Sequence, residues 1–273
     1  MSSRADLHVH TTASDGQCTP EQVAGMARTL GLRAIAITDH ETTRGVEPAR
    51  QAAAGTDLCV VPGVEISAES AQGEIHILGY FVESGPNGLE ERLRELREAR
   101  VARARRIVDR LATLGLPLSW ERVRDLAAGD SVGRPHIARA MVERGYVETV
   151  EEAFVLYLGA HAPAYVSRLR VAPTEAIRLI QEAHGVPVLA HPLQVTAIVP
   201  SLVRAGLQGL ETVYPGYSAQ EVAYLEDIAR QFDLVQTGGS DFHGPEITGG
   251  DLGSATVPFQ AVAALESRRS VPA

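Results

Sequence analysis

Short β-branched runs alternate with capped helical patterns along most of the chain, and this alternation constrains the fold more than any other feature. Strands are expected at 5–10 (ADLHVH), 34–38 (AIAIT), 59–65 (CVVPGVE), 74–82 (EIHILGYFV), 187–190 (PVLA), 209–214 (GLETVY) and 234–239 (LVQTGG). The helices between them have readable ends. Thr19 before Pro20, with Gln22 three positions on, makes a capping box. Pro173 opens a helix over 173–184 that Gly185 is expected to close. Such alternation predicts an α/β fold built on a parallel sheet or barrel. The rhythm breaks over 85–165, where consecutive helices are expected at 88–114, 119–128, 134–144 and 149–158. In the first, Leu89, Leu93, Leu96, Ala104, Ile107, Leu111 and Leu114 recur at three- and four-residue steps and make a buried stripe. Arg100, Arg103, Arg106 and Arg110 share another face. That face reads either as solvated surface interspersed with Glu91, Glu95 and Glu98, or as a phosphate-attracting wall over a site.

A chain of 273 residues, 45% hydrophobic, can bury the core of one large α/β domain carrying an insertion. It has no apolar run long enough to span a membrane and no signal-peptide core, so a cytoplasmic protein without a membrane partner is expected. Cys18 and Cys59 are too few for a disulfide framework. The net charge of −9 disfavours long duplex DNA, while leaving room for a local basic site. All 25 basic residues are arginine. Schiff-base chemistry, a P-loop and a Ser–Lys dyad each need an amine, and are excluded.

The strand ends carry the chemistry. His8 and His10 lie two apart on one strand and point the same way, about 7 Å from each other. Alone, such a pair is as well explained by incidental polar residues. The pattern recurs, however: Asp39 and His40 follow AIAIT, Glu65 ends VVPGVE, His76 interrupts EIHIL, and His191 follows VPVLA. Asp241 and His243 come after a glycine pair that permits close backbone approach, and Asp15 sits five residues beyond His10. Carboxyl ends of parallel strands face one active-site mouth, where buried imidazoles and carboxylates need partners. A donor set rich in histidine and lacking thiolate suits Zn, Mn or Fe rather than Ca²⁺ or Mg²⁺. Nine ligands suit three divalent ions. Their +6 against −3 from Asp15, Glu65 and Asp241 leaves a site that attracts a phosphate dianion.

The ordered set HVH…D…TDH…E…H…H…DFH resembles the polymerase and histidinol phosphatase (PHP) family over nearly the whole chain. Within it, the chain is most similar to the bacterial branch that removes the 3′-phosphate from nucleoside 3′,5′-bisphosphates and trims short RNA from the 5′ end. The resemblance implies a distorted (β/α)₇ barrel over 1–84 and 166–273, with a small all-helical insertion, 85–165, capping the active site. It implies three divalent ions, manganese first and zinc or iron as alternatives. His8, His10, Glu65 and Asp241 would bind one; Glu65, His76 and His191 a second; Asp15, His40 and His243 the third. A hydroxide bridging two ions would attack phosphorus, with Asp241, His191 and Arg134 as the catalytic residues. Arg134 and His136 in SVGRPHIA are expected to bind substrate. Family members often carry a lysine before PAYV; this chain has Ala160, His161 and Ala162 there, so His161 or Arg168 is expected to take that part. Asp6 and Asp39 are read as carboxylates that orient imidazoles, or, for Asp39, as a helix cap. The implied partner is a small phosphorylated nucleotide, with AMP or phosphate as product, or short single-stranded RNA. A histidinol-phosphate phosphatase, a non-catalytic metal-stabilised module and an amidohydrolase are the rival readings.

Overall fold

The computed structural model describes residues 4–70, 73–83, 89–127, 132–167, 171–245 and 250–269. Its strands are β1 (Arg4–Val9), β2 (Ala34–Ile37), β3 (Cys59–Ser70), β4 (Gly73–Tyr80), β5 (Val186–Leu189), β6 (Gly209–Val213), β7 (Val235–Gly238) and β8 (Val257–Pro258). They form one sheet in the order β7-β6-β5-β4-β3-β2-β1-β8. The sheet curls until Val9 of β1 bridges Phe242 just beyond β7, giving a nearly closed barrel. At the other end of β1, Arg4 and Ala5 pair with β8. Two residues are too short a strand to show as a periodic run, which is why β8 went unanticipated.

The sheet is mixed: β8 runs antiparallel to β1, and a second strand, β4, is reversed within the otherwise parallel set. β4 runs antiparallel to both β3 and β5, whereas β1–β2–β3 and β5–β6–β7 pair in parallel. A parallel crossover needs a dozen or more residues, and the chain places only positions 71 and 72 between Ser70 and Gly73. β3 and β4 therefore form a hairpin. Because β4 is reversed, its beginning rather than its end reaches the mouth, and His76 in its first half arrives there with the residues that end parallel strands.

The helices are α1 (Pro20–Thr29), α2 (Val46–Ala53), α3 (Leu89–Thr113), α4 (Trp120–Ala127), α5 (Arg134–Glu143), α6 (Val150–Ala153), α7 (Pro173–Glu182), α8 (Val199–Arg204), α9 (Ala219–Gln231) and α10 (Gln260–Glu266). α6 continues into one π-helical turn, Phe154–Leu158. None of the described helices is long and apolar enough to cross a membrane. The capping box at α1 forms as expected: Thr19 Oγ1 accepts from the Gln22 amide at 3.3 Å and Gln22 Oε1 accepts from the Thr19 amide at 2.8 Å.

Leu7, Ala36, Leu78 and Val188 belong to the apolar cluster packed among the strands, while α7, α8 and α9 pack on β3–β6 through Ile177, Leu202 and Leu225. Between α3 and the turn after α6 lies a separate apolar cluster that includes Ile107, Leu111, Val123, Ile137, Met141 and Leu158. The expected stripe of α3 is buried except for Leu114, which is 44% exposed because the helix has already ended at Thr113. At the end of α7 it is His184 that takes the left-handed backbone, with φ 57°, not Gly185. Gly185 lies against Tyr80 O and Val82, where a Cβ would not fit.

Candidate metal centre

The strands bring all nine expected ligands into one pocket. His8 and His10 come from β1 and the residue after it, Glu65 from the middle of β3, and His76 from β4. Asp15, His40, His191, Asp241 and His243 come from loops that follow strands. Ring centroids step from His8 to His10 (5.2 Å), His10 to His243 (4.0 Å), His10 to His40 (4.8 Å), His40 to His76 (5.1 Å) and His76 to His191 (5.0 Å). The glycine pair serves as anticipated: a Cβ at Gly239 would run into the His8 backbone, so Asp241 follows a strand pressed onto β1.

The donor spacing is that of a metal-binding pocket. Two ligands bonded at about 2.1 Å to one tetrahedral ion sit about 3.4 Å apart. His8 Nε2 lies 3.4 Å from Glu65 Oε1 and 3.3 Å from Asp241 Oδ1. His10 Nε2 lies 3.2 Å from Glu65 Oε2 and 3.1 Å from Asp241 Oδ1. On the next flank His76 Nδ1 is 2.7 Å from Glu65 Oε1 and 3.2 Å from His191 Nε2. On the other, His243 Nε2 and His40 Nε2 lie 3.4 and 3.8 Å from Asp15. Donor atoms of His10, Asp15, His40 and His243 all fall within 4.8 Å of one another, as do those of His8, His10 and Glu65, and of His40, Glu65 and His76. His40 can serve either of two groups, since its Nδ1 is 3.1 Å from Glu65 while its Nε2 faces Asp15.

Whether these residues fit metal ions is tested by their unmet valences. His8 Nε2, both ring nitrogens of His10, Asp15 Oδ1, His40 Nδ1 and both oxygens of Glu65 are buried without a well-formed hydrogen bond. Buried polar atoms normally have partners, and these belong to neighbouring groups of donors close enough to share an ion, so divalent cations fit. Protonation tells the same story. Burial pushes the His10 imidazole down, but the Asp241 and Glu65 carboxylates beside it outweigh this and lift it to about 10. Burial opposes, and Glu65 and Glu74 overcome, a similar rise at His76 to about 9. Burial takes His40 to about 3. The carboxylates thus recruit positive charge, and metal ions supply it in place of protons. Asp15, Glu65, His8 and His10 are at most 1% exposed, whereas His191 is 27%, Asp241 18% and His76 17% exposed. The pocket opens on that side.

Residues that went unanticipated surround it. Glu211 on β6, fully buried, accepts from His8 Nδ1 at 3.0 Å with one oxygen and from the His191 amide at 2.7 Å with the other. It therefore turns His8 Nε2 inward and fixes His191 at a left-handed φ of 30°. Tyr214 donates its hydroxyl to Asp241 Oδ2 at 2.8 Å. Glu41, also left-handed at φ 51°, receives Arg100 Nη1 at 3.0 Å. Neither Asp6 nor Asp39 touches an imidazole, which corrects that expectation. Asp39 accepts from the Thr11 amide, Thr11 Oγ1 and Ser14 Oγ, and shapes the loop that carries Asp15. Asp6 accepts from Ser240 and from the Gly253 amide, and burial lifts its carboxyl to about 6.

The arginine face of α3 divides. Arg100 and Arg103 are buried; Arg106 and Arg110 are exposed. Arg100 Nη2 reaches Asp15 Oδ2 at 2.5 Å, so the inner half of this face meets the metal pocket. Arg134 opens α5 and pairs with Glu74 at 3.2 Å, and Glu74 also takes His76 Nε2 at 3.1 Å. Arg134 is thus one carboxylate away from the ligand set. His136 is buried and accepts the Gly133 amide on Nδ1 at 3.0 Å, capping its own helix. His161 sits exposed in a left-handed turn, φ 68°. Arg168 lies outside the described residues.

A nearly closed barrel holding a pocket of histidines and carboxylates defines a metal-dependent hydrolase. Residues 6–161 match the PHP domain family, and the chain belongs to that family. A Salmonella typhimurium protein named 5′-3′ exoribonuclease Rnm is 37% identical over 249 residues, spanning 88% of this chain and 85% of the relative. The 3′,5′-nucleoside bisphosphate phosphatase of Chromobacterium violaceum is 30% identical over 256 residues, spanning 91% and 90%. A solved structure of a Bifidobacterium adolescentis protein described as a metal-dependent phosphoesterase superposes with a TM-score of 0.89 at 31% identity, covering 98% of this chain and 96% of that one. The chain is a metal-dependent phosphoesterase of the PHP family, a hydrolase acting on phosphoester bonds.

Proposed function

We propose that this phosphoesterase removes the 3′-phosphate from nucleoside 3′,5′-bisphosphates and trims short RNA from its 5′ end, using three divalent ions, manganese first. The observation that carries the reading is the crowding of nine ligand residues beside two arginines, Arg100 and Arg134, in a chain whose net charge is −9. His8, His10, Glu65 and Asp241 would hold one ion, Glu65, His76 and His191 a second, and Asp15, His40 and His243 the third. Ions bound there supply Lewis acidity at the phosphoryl oxygens and a water acidified towards neutral pH.

The chain's own residues do the rest. Arg134 offers a planar fork that binds phosphate oxygens bidentately, and a phosphate displaces the carboxylate of Glu74 from it. Glu74, still bonded to His76 Nε2, then keeps that ring turned towards His191. Glu211 and Tyr214 orient His8 and Asp241. The helices between Leu89 and Leu158 serve as a cap: Arg97, Arg100 and Arg134 reach from them onto Glu41, Asp15 and Glu74. No protein nucleophile is required.

The test is phosphate release by the manganese-loaded protein from adenosine 3′,5′-bisphosphate, with release of mononucleotides from a short 5′-phosphorylated RNA. His191→Ala should abolish turnover while the far-ultraviolet circular dichroism stays unchanged. Faster release from histidinol phosphate than from the bisphosphate would replace the nucleotide reading with the histidinol one. Anomalous scattering from phosphate-soaked crystals counts the ions, three being expected.

A further inference from the structure

A second arginine cluster lies outside the metal centre, on another flank of α3. Arg44, Arg94, Arg97, Arg105, Arg124 and Trp120 line a groove of about 660 Å³. Val101, Ala102 and Val132 complete its apolar lining. Five guanidinium groups in one groove stand out on a chain of net charge −9. One carboxylate, Glu98, also lines the groove and pairs with Arg94 at 3.1 Å, both side chains being more than half exposed, whereas Arg97 is buried and held by Glu90 at 2.9 Å. The solvated Arg94–Glu98 pair holds weakly and exchanges readily for phosphate. Arg105 lies over the Trp120 ring, 5.6 Å from its centroid, so a flat aromatic face and a cation share the groove.

The groove adjoins the metal centre through a short chain of contacts. Arg97, which lines it, donates to Glu41 O at 2.6 Å; Glu41 Oε2 accepts from Arg100 at 3.0 Å; Arg100 holds Asp15 at 2.5 Å. Arg44 follows His40 by four residues in the loop after β2. Along α3, Arg97 to Arg105 spans about 12 Å of helix axis, long enough for more than one backbone phosphate. A basic track with an aromatic platform is the chemistry that binds single-stranded nucleic acid without regard to sequence.

We propose that this groove carries the body of a single-stranded RNA whose 5′ end lies in the metal centre, with backbone phosphates on the arginines and a base stacked on Trp120. This rests on the nucleotide-directed reading above. It assigns the groove to oligonucleotides, since a nucleoside bisphosphate is too short to occupy both places.

The experiment is fluorescence anisotropy of a short 5′-phosphorylated oligouridylate, labelled at its 3′ end, in metal-free buffer where no turnover occurs. The wild type is compared with Arg105→Glu/Arg124→Glu, with Trp120→Ala, and with Arg204→Glu/Arg230→Glu, which makes the same charge change on the exposed faces of α8 and α9. The first pair should weaken binding at least about tenfold and flatten the dependence of log affinity on log salt by about 1.4. Trp120→Ala should weaken it roughly tenfold, and the control pair should bind as the wild type does. With manganese, kcat/KM on the oligonucleotide relative to that on adenosine 3′,5′-bisphosphate should fall in step for the groove variants. Equal binding by the arginine variants and the control pair overturns the proposal, as does equally tight binding of oligoglutamate, which would mark an acidic-peptide site. Trp120→Ala packs partly against its neighbours, and the two exposed arginines keep the test decisive if that variant misfolds. Normal oligonucleotide binding with neither phosphate release from the bisphosphate nor mononucleotide release from the oligonucleotide condemns the proposed activity and leaves the groove standing.

Discussion

Glu211 shows how much of a metal site can rest on a residue that touches no metal. Both of its oxygens are committed, one to His8 Nδ1 and one to the His191 amide, and these two residues belong to different proposed ions. In Glu211→Gln the amide oxygen can still accept from one of them, but its NH₂ then faces a second donor. Metal affinity, measured by competition with a chromogenic chelator, should fall roughly 10- to 100-fold. The metal-free protein should melt close to the wild type; unchanged affinity would show that the bond is incidental. Most of the residues that cluster in the pocket were legible because they interrupt or end an apolar run, as His191 does after VPVLA and His76 does within EIHIL. Glu211 was not. In GLETVY it stands beside Thr212 as a polar pair that reads as solvent-facing, and only barrel closure turns it to the centre. Asp6 and Asp39 misled for the same reason: their places beside His8 and His40 suggested imidazole partners, while their donors are the His8 amide, Ser240 and Gly253 for Asp6 and Thr11 and Ser14 for Asp39.

The start of α5 carries a pH dependence of its own. His136 takes the position where a capping box usually has Glu or Gln, and accepts the Gly133 amide on a neutral ring nitrogen. Burial lowers the imidazole to about 4, from an ordinary value of 6.5. Between those values the unfolded chain binds the proton and the folded chain does not, so stability falls as pH drops from about 6.5 through about 4. The loss from this one group is about 3 kcal/mol. His136→Asn keeps an acceptor for Gly133 and removes the titration. Urea midpoints of the variant should therefore decline less steeply over that range than those of the wild type; parallel curves would exclude His136 from acid denaturation. Most element boundaries were readable from caps and periodicity, as at Thr19 and Pro173. The reversal of β4 was not, because apolar alternation carries no strand direction; the short SAQG link was the only sign of a hairpin.

Across the whole molecule, the metal pocket is a reservoir of stability that the metal-free chain lacks. Asp15, Glu65, Glu211 and Asp241 crowd together, and the permanent counter-charge bonded to this group is Arg100, on Asp15. Manganese at about 100 times its dissociation constant should add about 2.7 kcal/mol per site. For a chain of this size that raises the melting temperature by roughly 5–10 °C, read by scanning calorimetry with and without EDTA. No shift would mean that the pocket does not bind the ion. Strand–helix alternation pointed to a parallel sheet or barrel and the strand ends to one cluster of imidazoles and carboxylates, but the order of strands around the ring could not be read, since it depends on pairings between distant segments.

One of those pairings has a bearing on how the protein is made. Asp6, near the beginning, is the acceptor for Ser240 and Gly253, near the end, and the barrel shuts only when they meet. During translation His8 and His10 leave the ribosome long before Asp241 and His243 exist. A polypeptide that stops short of Ser240 leaves Asp6 without the bonds from Ser240 and Gly253 and lacks Asp241 and His243, so its first strand has no latch and the pocket beside it stays incomplete.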